Sequence, residues 1–281
     1  MKNVGIIAKK GVPEAIDAVR DVLQWLKAGK YKVAIDPVTA AALKMKGCPI
    51  EKLPSRSDII LVFGGDGTLL SAARLVGSKG VPILGINLGN LGFITELGRD
   101  EILLNIDKVF SGKYKLEERI RISADVYRKG KKISQYSALN DVVLNKSALA
   151  RMFELDILIN KQYVTTFRAD GLIVSTPTGS TAHSLSAGGP VLYPTVESFL
   201  MTPICPHTLT SRPLVIPDNF VLEAIVKSGD NVYLTVDGQV GLPLKVNDSI
   251  RIRKADFTTK FIHLQDRDYF YILRSKMKWG E

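Results

Sequence analysis

Apolar and polar positions repeat with two different periods along the chain, and the change falls near residue 116. Before it, short apolar runs alternate with segments of helical spacing. "VGIIA" (Val4 to Ala8) predicts a buried strand. Apolar residues at Val12, Ile16, Val19, Leu23 and Leu26 then follow a helical repeat that Pro13 opens and Gly29 closes. "YKVAID" predicts a second strand, "TAAALKMKG" a short helix and "DIILVF" (Asp58 to Phe63) another buried strand. Behind a cluster of glycines, "TLLSAARLVG" predicts a helix, and "VPILGIN" (Val81 to Asn87) a fourth strand. Strands alternating with helices predict parallel pairing in a doubly wound sheet.

After about Leu116 the period shortens to two. "RIRISADVYRKGKKISQYSALNDVVLNK" alternates on both sides of Lys129-Gly130, the pattern of an antiparallel hairpin. "ELDILINKQYVTTF", "GLIVSTP", "PLVIPDNFVLEAIV", "NVYLTVDGQV" and "DSIRIRKADF" extend the β pattern. The last residues return to helical spacing. The expected organisation is an α/β domain over 1–116, a β-rich domain over 117–265, and a C-terminal helix over 266–281 that packs back on the first.

Composition narrows the class without choosing a function. Hydrophobic residues make up 46% and charged residues 23%, which is globular. No stretch approaches 18 uninterrupted apolar residues, so no membrane partner is expected. The apolar run before Lys9 and Lys10 is too short for the core of a signal peptide. The net charge of +10 suits an anionic ligand. The basic residues do not cluster, and phosphorylated small molecules explain the balance as well as nucleic acid does. Cys48 and Cys205 have no metal-like spacing, which predicts a reducing, cytoplasmic setting. The histidines at 183, 207 and 263 lie too far apart for a histidine-built zinc site.

Five stretches carry candidate chemistry. "GGDGT" (Gly64, Gly65, Asp66, Gly67, Thr68) joins a predicted parallel strand to a helix, where backbone N–H groups and the helix N-terminus favour phosphate. A tight turn capped by Asp66 is the ordinary alternative. "INLGNLGFITE" (Ile86 to Glu96) is a second glycine-rich loop. In "LNDVVLNK", Asn140 and Asp141 interrupt an apolar strand, and ribose hydroxyls are suitable partners for them; a plain turn is the alternative. "FRADGLIVSTPTGSTAHSLSAGGP" (Phe167 to Pro190) places Arg168 and Asp170 before a buried strand and a dense group of hydroxyls after it. "TVDGQ" (Thr235 to Gln239) reads as a hairpin turn.

In that order and spacing, "GGDGT", "NLGFITE", "ALNDVV", "DGLIVSTPTGSTAHSLSAGGP" and "VDGQ" resemble the NAD kinase family from about Val4 to about Arg274. "GGDG" alone is shared with diacylglycerol, sphingosine and 6-phosphofructokinases, whereas "PTGSTAHSLSAGGP" is specific. The resemblance implies a Rossmann-like α/β domain followed by a β-sandwich-like domain. It implies transfer of the terminal phosphoryl of ATP, or of polyphosphate, to the 2′-hydroxyl of the adenosine ribose of NAD, with Mg²⁺ accompanying the donor. Asp66 would be the base, with Gly67 beside it, and Gly64, Gly65, Gly67 and Thr68 would form the phosphate loop. Asn140 and Asp141 would bind ribose hydroxyls, and Arg151 and Arg168 would lie near the nucleotide. Asp170 would contact the nicotinamide half. Thr181, Ala182, His183, Ser184, Leu185 and Ser186 would surround the adenosine, and Gln239 would close the site. His183 stands where most members have tyrosine, and Asp141 where many have glutamate. A homodimer or homotetramer is implied. Competing readings are a lipid kinase sharing "GGDG", a silent NAD sensor, and a nucleic-acid-binding protein resting on charge alone.

Overall fold

The computed structural model describes residues 1–89, 92–147, 150–208, 210–264 and 268–279. The chain forms two compact units, one of residues 1–118 with 259–281, the other of residues 119–258.

The first unit is built on a sheet ordered Lys32–Ile35, Asn3–Ala8, Ile59–Phe63, Ile83–Asn87, Thr259–His263, Lys115–Arg119, with Leu97–Gly98 also pairing to Ile83–Asn87. Asn3–Ala8 pairs in parallel with both its neighbours, and Ile59–Phe63 pairs in parallel with Ile83–Asn87. The two central strands are buried at every position, as their unbroken apolar runs require. Pro13–Ala28 turns Ala15, Ala18, Val19, Val22, Leu23 and Leu26 inward. Asp36 caps Pro37–Ala42 by accepting from the N–H groups of Val38 and Thr39, so that helix starts at the proline rather than at Thr39. The strand Thr259–His263, read from the sequence as part of the β-rich region, belongs to this sheet and pairs in parallel with Ile83–Asn87. The C-terminal helix spans Tyr269–Met277; residues 265–267 and 280–281 lie outside the described residues.

The second unit holds two six-stranded antiparallel sheets. One runs Gln162–Ala169, Phe153–Ile159, Leu222–Ser228, Ser249–Lys254, Ile122–Arg128, Lys131–Ala138. The other runs Leu214–Pro217, Ser198–Ile204, Gly171–Ser175, Asp141–Lys146, Val232–Val236, Val240–Leu244. Their inner faces share one core that includes Phe153, Leu155, Ile157 and Ile250 from the first sheet and Val142, Leu144, Leu172, Val174 and Phe199 from the second. The hairpin at Lys129-Gly130 forms with positive φ at both residues. Among the described residues, no helix is long and apolar enough to cross a membrane.

Candidate active site

Two clusters hold the candidate residues, one in each unit. In the first, the glycine turn leaves the buried strand Ile59–Phe63, and the Gly64 N–H donates to the Ile86 carbonyl at 2.8 Å. The helix Asp66–Val76 begins at once, with Gly65 as its N-cap and no side chain capping it. Asp66 is therefore the first helical residue and not a cap. Its carboxylate reaches away from its own helix and accepts from two backbone groups, Phe93 N–H on Oδ2 at 3.0 Å and Ile94 N–H on Oδ1 at 3.2 Å. Gly92 admits this approach: a Cβ there would stand 2.1 Å from Asp66 Oδ1. The Gly92 N–H in turn donates to Thr95 Oγ1 at 2.8 Å. Asn90 and Leu91 of the same loop lie outside the described residues.

Gly65 and Gly67 differ from Gly92. A Cβ at either would meet no protein atom within 4 Å, and neither has a positive φ. Neither backbone conformation nor neighbouring atoms call for glycine there; the bare backbone is open at the N-terminus of an 11-residue helix. Such a surface suits a phosphate group. Thr68 is half-buried, and its N–H closes the turn on the Gly65 carbonyl at 2.9 Å.

The second cluster lies on the outer face of a sheet. Along Asp141–Lys146, Val142 and Leu144 enter the core, so Asp141, Val143 and Asn145 point to the opposite face. Ser175 pairs with Asp141, and Ile173 and Thr235 flank Val143. A cavity of about 440 Å³ opens here, walled by Val143, Asn145, Ile173 and Thr235 and also lined by His183 and Ser186. Asp141 is 1% exposed, with Oδ2 at 3.3 Å from His183 Nδ1. Asp141 Oδ1, Ser175 Oγ and Asn145 Oδ1 are all buried without a hydrogen-bond partner among the described residues. Buried polar atoms are nearly always paired, so three on one face mark a place where hydroxyl or amide groups are expected to enter.

The Asn140-Asp141 turn is shaped by a residue that the sequence reading passed over. The Asp237 carboxylate accepts from the N–H groups of Leu139, Asn140 and Asp141 at 3.0, 2.8 and 3.2 Å. Burial pushes its carboxyl above the ordinary aspartate value, against the opposing pull of those N–H groups and of Arg121. Asp237 and Gly238 have φ of +48 and +66, the tight hairpin turn that "DG" predicts, and this turn aims the carboxylate back at the strand. From the other side, Thr176 N–H donates to the Asn140 carbonyl at 2.9 Å. Gly179 passes so close that a Cβ there would lie 2.1 Å from the same carbonyl oxygen.

The remaining candidates divide. Ser184 is fully buried and its hydroxyl bonds Thr202 Oγ1 at 2.8 Å, so it supports the short helix His183–Ser186 instead of facing the cavity. Thr181 Oγ1 returns to the Thr178 carbonyl at 3.3 Å, and the backbone of Ala182 to Gly179. Leu185 is half-buried. Asp170 pairs with Lys146 at 3.6 Å, and Arg151, Arg168 and Gln239 are exposed.

Comparison with known proteins decides what this arrangement belongs to. The ATP-NAD kinase N-terminal domain matches residues 4–114, and the ATP-NAD kinase C-terminal domain matches residues 139–264. The chain belongs to the NAD kinase family. It is 44% identical over 284 residues to the NAD kinase of Syntrophotalea carbinolica and 43% over 282 residues to that of Geobacter metallireducens, covering all of both chains. Among solved structures it is similar to yeast NADH kinase complexed with NADH, at TM-score 0.94 and 28% identity, over 100% of this chain and 89% of that one. It is also similar to an NAD kinase from Archaeoglobus fulgidus in complex with ATP, at TM-score 0.78 and 25% identity, over 98% of each.

His183 gives this chain a titratable group against Asp141, its Nδ1 3.3 Å from Oδ2. Its hydrogen bond to Asp141 raises the imidazole pKa above the ordinary 6.5, with burial opposing. A raised histidine pKa stabilises the fold fully below that ordinary value, and the contribution is lost as pH climbs through the raised one. The melting temperature is therefore expected to fall more steeply with rising pH above about 6.5 than it does in His183→Tyr. Thermal melts of both proteins over a pH series check this, and parallel curves would count against the pair.

Proposed function

We propose that the two clusters carry out ATP-dependent phosphorylation of the 2′-hydroxyl of the adenosine ribose of NAD, giving NADP. The activity is that of the family: an NAD kinase, with NAD as acceptor and ATP as donor. The observation that carries the residue assignment is the Asp66 carboxylate, fixed by two backbone N–H groups beside two glycines with open space over them.

Phosphoryl transfer asks the protein mainly to position groups and balance charge. In the phosphate loop Gly64, Gly65, Gly67 and Thr68, the open backbone of Gly65 and Gly67 meets the donor phosphates while the N–H groups of Gly64 and Thr68 close the turn that carries it, and the helix behind adds favourable potential. Asp66 accepts the proton of the attacking hydroxyl as the bond to phosphorus forms. A carboxylate has about four lone-pair sites, and Phe93 and Ile94 take two, which leaves room for that proton. Asn140 and Asp141 hold ribose hydroxyls, Asp141 through its unpaired Oδ1. Thr181, Ala182, His183, Leu185 and Ser186 border the adenosine, with Ser184 bracing them from beneath. Arg151 and Arg168 supply positive charge to the nucleotide, Asp170 contacts the nicotinamide half, and Gln239 closes the site. In functional terms, residues 1–116 handle the donor and the proton, and 117–265 bind NAD.

Among the described residues no group of three or more His, Cys, Asp or Glu is gathered to hold a metal ion. An ion accompanying the donor would be held by phosphate oxygens and water, with the Asp66 carboxylate at the turn as the protein group available to it. Such an ion would neutralise the donor phosphates. We further propose a cytoplasmic homodimer or homotetramer, with ATP or polyphosphate as the phosphoryl donor and with neither nucleic acid nor membrane as a partner. One assay matrix tests these readings: NAD and NADH against ATP, GTP and polyphosphate, with and without Mg²⁺, with diacylglycerol as a control acceptor. Phosphorylation of the lipid, or NAD binding without turnover, would overturn the proposal; light scattering reports the oligomer.

Asp141→Ala is expected to weaken NAD binding by about 1.5–3 kcal/mol, the usual worth of a hydrogen bond to a charged group. An unchanged KM for NAD, with an intact circular dichroism spectrum, would remove Asp141 from the ribose.

A further inference from the structure

The carboxylate of Asp66 is only as well placed as the segment that holds it. Residues 92–95 have no strand or helix of their own, so no backbone ladder fixes the N–H groups of Phe93 and Ile94. What fixes them lies one residue further on. The Glu96 N–H donates to the Gly85 carbonyl at 2.9 Å, pinning the segment's end to the strand Ile83–Asn87. The Glu96 side chain is 2% exposed and spans 168 residues of sequence to the strand Thr259–His263 and its end. Its Oε1 accepts from Leu264 N–H at 2.7 Å, and its Oε2 lies 2.7 Å from His263 Nδ1. The other nitrogen of His263 lies 3.2 Å from Glu117 Oε2, on the next strand of the sheet. The imidazole is thus clamped between two carboxylates, one on each ring nitrogen.

A buried carboxylate is costly unless it is hydrogen-bonded. Both oxygens of Glu96 are engaged, by the Leu264 N–H and by His263, so the carboxylate ties residue 96 firmly to the strand Thr259–His263 and its end. The connection is continuous: Glu117 and Glu96 hold His263, Glu96 anchors residues 92–95, and Phe93 and Ile94 hold both oxygens of Asp66.

We propose that Glu96 and His263 are positioning residues for Asp66, orienting the proton acceptor through the 92–95 segment without touching substrate. The inference rests on the reading of Asp66 as the acceptor. A displacement of about 1 Å in a reacting group can cost about 10²-fold in rate. Glu96→Gln and His263→Ala should therefore lower kcat by about 10–10²-fold while KM for NAD and for ATP stays within a few-fold. His263→Asn should recover much of the activity lost in His263→Ala, because its Nδ2 can take the place of Nδ1 against Glu96. In an Asp66→Asn background, Glu96→Gln should add little further loss, since residues that act through one group are non-additive.

The experiment is steady-state NADP formation by these single and double variants, measured well below each melting temperature. Multiplicative losses in the double variant, wild-type kcat in His263→Ala, or no recovery in His263→Asn would overturn the positioning role. Wild-type turnover in Asp66→Asn alone would instead remove the reading of Asp66 on which the proposal stands. Should Glu96→Gln fail to fold, the His263 pair and its combination with Asp66→Asn decide the matter.

Discussion

Replacing Asp66 with asparagine is expected to lower kcat by about 10²–10⁴-fold, the range of a positioned general base. NAD affinity should stay within a few-fold, because the lost interaction belongs to the transition state. Were Asp66 merely a helix cap, asparagine would serve as well, but Gly65 occupies the cap position. The substitution has a second, smaller effect. Phe93 and Ile94 each bond a different oxygen of Asp66, so an amide in the same pose turns its NH₂ toward one of these N–H groups and the adjoining loop loses an anchor. That loss appears in the melting temperature and is separable from the rate. Calorimetric titration with NAD, followed by NADP formation across a Mg²⁺ series, checks the assignment. Partial rescue by excess Mg²⁺ would point to metal binding at Asp66, and near-wild-type turnover would refute its role as base.

Gly179→Ala carries the second large effect. The new methyl would stand 2.1 Å from the Asn140 carbonyl oxygen and 2.5 Å from its carbon, both backbone atoms that no rotamer change can move aside. Either the turn at residues 176–179 or the Asn140-Asp141 corner must shift. Overpacking of this kind costs about 1–3 kcal/mol of stability. Displacing Asp141 should also raise KM for NAD by about tenfold or more, in line with the steep cost of misplacing a positioning group. KM for ATP is expected to change far less. Thermal melts and initial rates with each substrate varied in turn test this, and an unchanged KM for NAD would show that the corner tolerates the methyl.

The sequence and the structure agree most closely where period and turn chemistry are strong. "DIILVF" gave a fully buried parallel strand and "RKGKK" a hairpin, because an unbroken apolar run and a Lys-Gly turn leave few alternatives. "GGDGT" and "LNDVV" were visible as polar interruptions of apolar runs. Their supports were not. Asp237 was legible only as a turn residue, since nothing local shows that its carboxylate gathers three N–H groups from residues 139–141. Glu96 and His263 are 167 positions apart in a chain whose charged residues are mostly solvated, and no spacing rule links them. Ser184 and Ser186 look alike in sequence, yet one turns into Thr202 and the other to the cavity, a difference made by a helix of only four residues.

The strand Thr259–His263 completes a sheet whose other strands were all made before residue 120. On the ribosome, the strand Ile83–Asn87 must wait through the synthesis of about 170 residues with the Ile83 end of one edge unpaired. Residues 119–258, being contiguous, can finish folding in that interval. The contacts of Glu96 with His263 and Leu264 can form only after it, ahead of the helix Tyr269–Met277. On the positioning role proposed above, a nascent chain stopped short of residue 264 would lack the ties that hold residues 92–95 beneath Asp66. The enzyme's competence would then wait on the strand Thr259–His263 taking its place beside Ile83–Asn87.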